Sequence, residues 1–231
     1  MYIELNNQKF LFIHIGGTAG TSIEYYFYCL YKNIKPDFTL ENNTTKSKDK
    51  LLIQTIHDPD FLNFLSLTNF NNNSHLTLQE YSSKINNINN INNIIIFTVI
   101  RNPYYRILAK FFTSPHSNNI KSFEHAQQLF ENFIIELYEY KTDFSKNSYL
   151  HTRCQSNYFL YNNLNVFVLK FENINNDFYF FQKLHNLPYY KLVKINSTFN
   201  KYKNIDLYTE KAKQIIYLNN QYIIDNYYNK L

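Results

Sequence analysis

FLFIHIGGTAGTSIEYYFYCLY, residues 10–31, is the stretch on which the fold turns. Phe10 to Ile15 alternates aromatic and aliphatic residues and reads as a strand, and Ile23 to Tyr31 resumes an apolar pattern at helical spacing. Between them, Gly16 to Ser22 forms a tight loop. Such a loop aims several backbone N–H groups and the positive end of the helix dipole at one point, which suits an anion. Thr18, Thr21 and Ser22 add hydroxyl donors. The motif is not the loop of a nucleoside triphosphatase: three residues separate Gly16 from Gly20, and Thr21 stands where that loop needs lysine. The plainer alternative is an ordinary turn that uses glycine for positive φ.

Composition weighs against that alternative. The 231 residues include 36 Asn, 22 Tyr and 21 Phe, but only three Gly, three Arg and no Trp. Average usage would supply roughly 16 glycines at this length. A skew of this kind looks like drift acting on the whole chain, so disfavoured residues survive best where something needs them. All three glycines fall between Gly16 and Gly20, and two of the three arginines are Arg101 and Arg106.

Those arginines follow a second strand signal. Ile94 to Ile100 (IIIFTVI) is a continuous β-branched run of the kind buried on both faces in a parallel sheet. Arg101-Asn102-Pro103 stops it and opens a helix through Phe112, with Pro103 suited to the first turn. Arg101 suits bidentate recognition of phosphate, whereas Arg106, on the helix, reads as structural. Leu51–Ile56 and Asn165–Phe171 read as further strands, the latter buried. Phe61 to Phe70 is an apolar-rich stretch; helices are expected over 77–85, 123–140, 177–187 and 208–228, and the repeat from Lys84 to Ile94 as a solvated spacer. Strands alternating with helices predict a three-layer α/β sandwich: a central, mostly parallel sheet flanked by helices, in a single P-loop-like domain over 1–231. In such sheets ligands bind at the carboxyl ends of strands, which singles out the loops after Ile15, Ile100 and Phe171.

Several function classes fall away. No run approaches the roughly 18 apolar residues of a membrane span. MYIELNNQKF lacks the order of a signal peptide, so a cytoplasmic location is expected. Two cysteines, Cys29 and Cys154, form no metal-ligand or disulfide pattern; buried reduced thiols and no metal are expected. A formal charge of +5 with scattered lysines forms no nucleic-acid arm and fits a small anionic ligand better. Asn43-Thr44-Thr45 matches a glycosylation acceptor only formally.

FIHIGGTAGTSIEYYF (12–27) resembles the opening of the carbohydrate sulfotransferase superfamily, Phe-x-His-Ile-Pro-Lys-Thr-Ala/Gly-Gly-Thr-Ser, and IFTVIRNPYYRILAKFF (96–112) resembles its second signature. SHLTLQEY (74–81), HTRCQSNYF (151–159), VFVLKFENINNDF (166–178) and the final helix resemble further segments in the same order. The resemblance implies a sulfotransferase that moves a sulfuryl group from 3′-phosphoadenosine 5′-phosphosulfate to a hydroxyl of a carbohydrate or other acceptor. By position it implies that Gly17, Thr18, Ala19, Gly20, Thr21 and Ser22 hold the 5′-phosphosulfate and that Arg101 holds the 3′-phosphate. Two positions depart: Gly17 replaces the loop lysine and Ala109 replaces the 3′-phosphate serine. The alternative implied by these departures is a degenerate member that binds nucleotide or glycan without turnover.

Such a transfer needs a base for the acceptor hydroxyl. His75 matches a histidine of the resembled family that precedes a helix and is the first candidate, with Glu80 in reserve. A helix-entry or partly buried histidine is an equal alternative for His75. Lys201 and Lys203 are candidate phosphate cations, and Lys46, Lys48 and Lys50 candidate lid residues. His151 is a candidate contact to acceptor or cofactor, with a structural role weighted higher. His14 reads as a satisfied core histidine, and Glu172 as a carboxylate satisfied in the core.

Overall fold

A computed structural model describes residues 1–38, 59–68, 75–84, 93–118, 120–138, 153–195 and 206–229. The expected strand at 51–56, the spacer at 85–92, and Asn43, Lys46, Lys48, Lys50, His151, Lys201 and Lys203 lie outside the described residues. The fold is α/β: among the described residues, four strands form one sheet in the order β1-β2-β3-β4 and are accompanied by eight α-helices.

The chain enters through a hairpin that the sequence pattern does not announce. β1 (Tyr2–Leu5) pairs antiparallel with β2 (Gln8–Ile13), from Tyr2↔Leu11 to Leu5↔Gln8. Asn6 and Asn7 make the turn at φ 50° and 62°, the two left-handed residues that a two-residue hairpin loop requires. β2 runs parallel to β3 (Ile94–Ile100), and β3 parallel to β4 (Phe167–Lys170). The carboxyl ends of these three strands therefore share one edge of the sheet. β3 is central, and Ile96 to Ile100 are buried as expected. β4 corrects the expectation of a buried strand: paired among the described residues with β3 alone, it buries Leu169 and leaves Phe167 42% exposed.

The chain divides into two compact units, each with its own core. The first comprises Met1–Ile100 and Tyr158–Ser197. It holds the sheet and the helices α1 (Gly20–Lys32), α2 (Pro59–Thr68), α3 (Leu78–Lys84) and α7 (Ile174–Leu184). Its core is aromatic, with Phe97 stacked on Phe12 at 5.0 Å between ring centroids and against Phe181 at 4.5 Å. Ring pairs at such separations add about 0.5–1.5 kcal/mol beyond the area they bury.

The second unit, Arg101–Asn157 with Thr198–Leu231, holds α4 (Pro103–Phe112), α5 (Phe123–Tyr138) and α8 (Glu210–Ile223), the last continuing as a π-turn through Tyr228. Ile107, Phe111, Phe130, Ile134 and Ile216 form its core. A short helix, α6 (Ser156–Phe159), begins near its boundary.

Helix limits follow local chemistry. α4 begins as expected, because Asn102 accepts the Tyr104 N–H at 3.0 Å and Pro103 takes the first helical position. α7 runs three residues earlier than the sequence suggests at both ends. Asp177 lies in its first turn, accepting from the Lys170 N–H at 2.8 Å and the Asn173 carboxamide at 2.7 Å, so it is no cap. Asn186, at φ 52°, ends the helix with a Leu187 N–H to Gln182 carbonyl bond of 2.9 Å. Glu172 is exposed in the 3₁₀ turn Phe171–Asn173, which corrects the expectation of a carboxylate satisfied in the core.

Candidate functional site

The loop Gly16–Ser22 links the carboxyl end of β2 to α1 and belongs to the first unit. The first intrahelical bonds run from the Ser22 and Ile23 N–H groups to the Ala19 carbonyl, at 3.0 and 3.2 Å. The amides of Gly20 and Thr21 therefore lie ahead of the first hydrogen-bonded turn, where a helix offers donors to an anion. Ala19 precedes the helix in the left-handed region, at φ 66° and ψ 20°. For a residue with a Cβ this conformation costs about 1 kcal/mol, and strain of this kind concentrates at ligand sites.

Two of the three glycines are needed for different reasons. Gly17 has φ 80°, which a side chain disfavours. Gly20 has no positive φ; a Cβ there would lie 1.9 Å from His14 Nε2 and 2.0 Å from its Cδ2. The imidazole of His14 thus fills the space that glycine leaves open at the first residue of α1.

The hydroxyls divide likewise. Thr18 Oγ1 donates to the Ile15 carbonyl at 2.6 Å and is fully buried, so it braces the loop from within. Ser22 Oγ accepts the Ile195 N–H at 3.3 Å and retains its own proton to donate. Thr21 is half-buried.

Beneath the loop lies a buried polar cluster. His14, 8% exposed, contacts the Glu24 carboxylate through Nδ1 at 3.1 Å, and Glu24 is itself 2% exposed. A carboxylate accepts, so the His14 proton sits on Nδ1. The core placement expected for His14 is what the fold shows, but its position against Gly20 ties it to the loop. His75 Nδ1 lies 3.1 Å from the His14 backbone carbonyl, and the two rings meet edge to face at 4.6 Å. Because a carbonyl only accepts, the proton of a neutral His75 sits on Nδ1 and the lone pair on Nε2. Glu80 caps a helix. It accepts the Thr77 N–H at 2.6 Å while Thr77 Oγ1 accepts the Glu80 N–H at 3.2 Å, the reciprocal box that opens α3.

In the second unit, Arg101 is the residue after β3 in the chain. The Gln155 carboxamide holds its backbone twice, accepting the Arg101 N–H at 2.9 Å and donating to the Arg101 carbonyl at 2.7 Å. Gln155 is fully buried. It occurs in the quoted HTRCQSNYF segment, but its role is invisible in the sequence because a bond across 54 residues leaves no local pattern. Arg106 is structural as expected, 2% exposed with Nη1 on the Arg153 carbonyl at 3.1 Å. Ala109 is half-buried on α4. Burial raises the Tyr208 hydroxyl above its ordinary range, and that hydroxyl donates to the Tyr104 carbonyl at 2.8 Å. The structure thus places Gly17–Ser22, His75 and Glu80 in the first unit, Glu80 engaged with Thr77, and Arg101 and Ala109 in the second.

Among the described residues, no group of three or more His, Cys, Asp or Glu is disposed to hold a metal ion, and no helix is long and apolar enough to cross a membrane.

The model of the Sulfotransferase family matches residues 2–228, and the chain belongs to that family. No curated protein and no solved structure matches the chain.

Proposed function

We propose that this sulfotransferase-family chain moves a sulfuryl group from 3′-phosphoadenosine 5′-phosphosulfate to a carbohydrate hydroxyl, and that residues 1–231 work as one domain. The observation that carries the reading is the loop Gly16–Ser22, with unbonded-turn amides at the start of α1 and a left-handed Ala19. Its chemistry fits a phosphosulfate: the Gly20 and Thr21 amides lie ahead of the first hydrogen-bonded turn, and the Ser22 hydroxyl keeps a proton to give.

When bound, the donor supplies a sulfuryl group activated as a phosphosulfate anhydride. Residues 17–22 bind the anionic end, the amides through Thr21 and the Ser22 hydroxyl donating to it and stabilising charge that grows on the departing oxygen. Arg101 binds the 3′-phosphate as the resemblance implies, its main chain fixed by Gln155. His75, with its Nδ1 proton directed at the His14 carbonyl, takes the proton of the acceptor hydroxyl at Nε2. Lys201, as an added phosphate cation, belongs to the same proposal.

The test is calorimetric titration of adenosine 3′,5′-bisphosphate into the wild type and Arg101→Ala. Micromolar binding by the wild type, lost in the variant, supports the nucleotide site; no binding by the wild type overturns it. A second reading, a protein that binds nucleotide or glycan without turnover, is favoured by Gly17 where the resembled family carries lysine. Turnover gained in Gly17→Lys supports that second reading, and turnover unchanged or lost supports the first.

A further inference from the structure

The anion loop carries no cationic side chain: Gly16, Gly17, Thr18, Ala19, Gly20, Thr21 and Ser22 are all neutral. A doubly charged phosphate group held there needs compensation beyond backbone dipoles. The group placed to give it is His14. Its ring is nine-tenths buried, its Nδ1 is engaged by the Glu24 carboxylate, and its Nε2 edge lies against Gly20 at the first residue of α1. Nε2 has no hydrogen-bond partner among the described residues. In the neutral ring Nε2 carries a lone pair, which repels an anion; in the imidazolium it becomes a charged donor.

We propose that His14, held by Glu24, takes up a proton when an anionic phosphate group enters the loop and so supplies the positive charge that residues 16–22 lack. The inference rests on the reading of the loop as a nucleotide-phosphate site. The proton comes from solvent and resides on Nε2, while the Nδ1 proton stays directed at Glu24. The groups that face the ring set the balance. An incoming anion favours the cation at a ring whose Nδ1 already meets the Glu24 carboxylate on α1. His75, edge to face at 4.6 Å, opposes it when charged. Beyond Glu24, the buried Met1 amino group hydrogen-bonds to the Tyr81 hydroxyl at 2.6 Å, and burial holds that amine down to about 5, so it does not compete with His14 as a cation near neutral pH. Glu24 thereby acts as a positioning residue: it fixes the tautomer and orientation of the ring and stabilises its charge.

The experiment is calorimetric binding of adenosine 3′,5′-bisphosphate at pH 7.5 in buffers of low and high ionisation enthalpy. The wild type is expected to take up close to one proton per nucleotide bound. His14→Gln is expected to bind roughly ten- to a hundred-fold more weakly, the range for losing a hydrogen bond to a charged group, and to take up none. His75→Gln is expected to keep the uptake. Binding by the wild type without proton exchange overturns the inference and leaves the nucleotide site standing. Uptake retained in His14→Gln, or lost in His75→Gln, places the proton elsewhere and overturns it too. Should His14→Gln fail to fold, long-range ¹H–¹⁵N spectra of the wild type read the ring directly: imidazolium shifts at saturation support the proposal, and a neutral ring in the saturated complex refutes it. No binding at all by the wild type refutes the nucleotide reading itself.

Discussion

Gln155 pairs with Arg101 as one strand pairs with another, its carboxamide accepting the Arg101 N–H at 2.9 Å and donating to the Arg101 carbonyl at 2.7 Å. A side chain thus completes the main-chain bonding of a residue that has just left β3. A buried peptide group without a partner costs about 1–3 kcal/mol, so the pair fixes where the Arg101 backbone sits.

Gln155→Leu fills similar space but removes both Gln155 hydrogen bonds to the Arg101 main chain. The variant is expected to lose about 1–3 kcal/mol, read by urea unfolding, and to bind adenosine 3′,5′-bisphosphate more weakly. Binding unchanged in a folded Gln155→Leu would detach Gln155 from the nucleotide site.

The two constrained glycines differ in a way that mutation separates. Gly17→Ala forces a side chain into φ 80° and is expected to cost about 1–2 kcal/mol. Gly20→Ala drives a Cβ into the His14 ring, for an expected overpacking loss of about 1–3 kcal/mol. Only the second loss is tied to His14, so Gly20→Ala combined with His14→Ala should show non-additive unfolding energies, whereas Gly17→Ala with His14→Ala should come closer to a simple sum.

The two thiols are expected to react unequally. Cys29 is fully buried on α1, and burial pushes its thiol up to about 11, whereas Cys154 is half-buried, with Sγ 3.0 Å from Ser156 Oγ. An aromatic disulfide reagent at pH 8 should label one thiol quickly in the native protein and the second only on unfolding. Cys29→Ala should leave the fast phase intact.

The same burial gives an alkaline limit. Cys29, with an ordinary thiol value of 9.0, is held near 11, and Tyr25, ordinarily 10.0, near 12, each because burial disfavours its anion. A raised value means that the folded state keeps its proton where the unfolded state releases it. The resulting stability is complete below about pH 9 and declines as pH rises towards 11 and 12. Urea midpoints measured from pH 8 to 11 should fall, and fall less steeply in Cys29→Ala.

Thr77 and Glu80 close the start of α3 reciprocally, at 2.6 and 3.2 Å. Thr77→Ala is expected to cost about 1 kcal/mol, read by thermal unfolding. A loss near zero would mean that α3 is held by its packing alone.

Much of the first unit was legible in the sequence, because β2, the glycine loop, α1 and the apolar run of β3 each announce themselves by period and punctuation. The hairpin before β2 was not, since Asn6-Asn7 reads as polar filler in a chain with 36 Asn. The exposure along β4 was hidden because Val166, Val168 and Leu169 look alike whether one side is paired or two. Among the candidate residues, the loop in the first unit and Arg101 in the second stood out through residues the composition disfavours. The partnership of His14 with Gly20 and Glu24 and that of Gln155 with Arg101 are tertiary contacts between ordinary residues, and one-dimensional spacing does not carry them.

Among the described residues, six of the seven non-glycine residues at positive φ are asparagines: Asn6, Asn7, Asn33, Asn162, Asn163 and Asn186. A chain nearly stripped of glycine has handed its left-handed corners to the next residue able to hold them. This substitution has a chemical consequence over time. Asparagine side chains cyclise onto the following amide and deamidate fastest when that neighbour is glycine, yet no asparagine in this sequence precedes one. The corners are therefore built from a perishable residue in its slower-ageing contexts, Asn33 before Ile34, Asn163 before Leu164 and Asn186 before Leu187 among them.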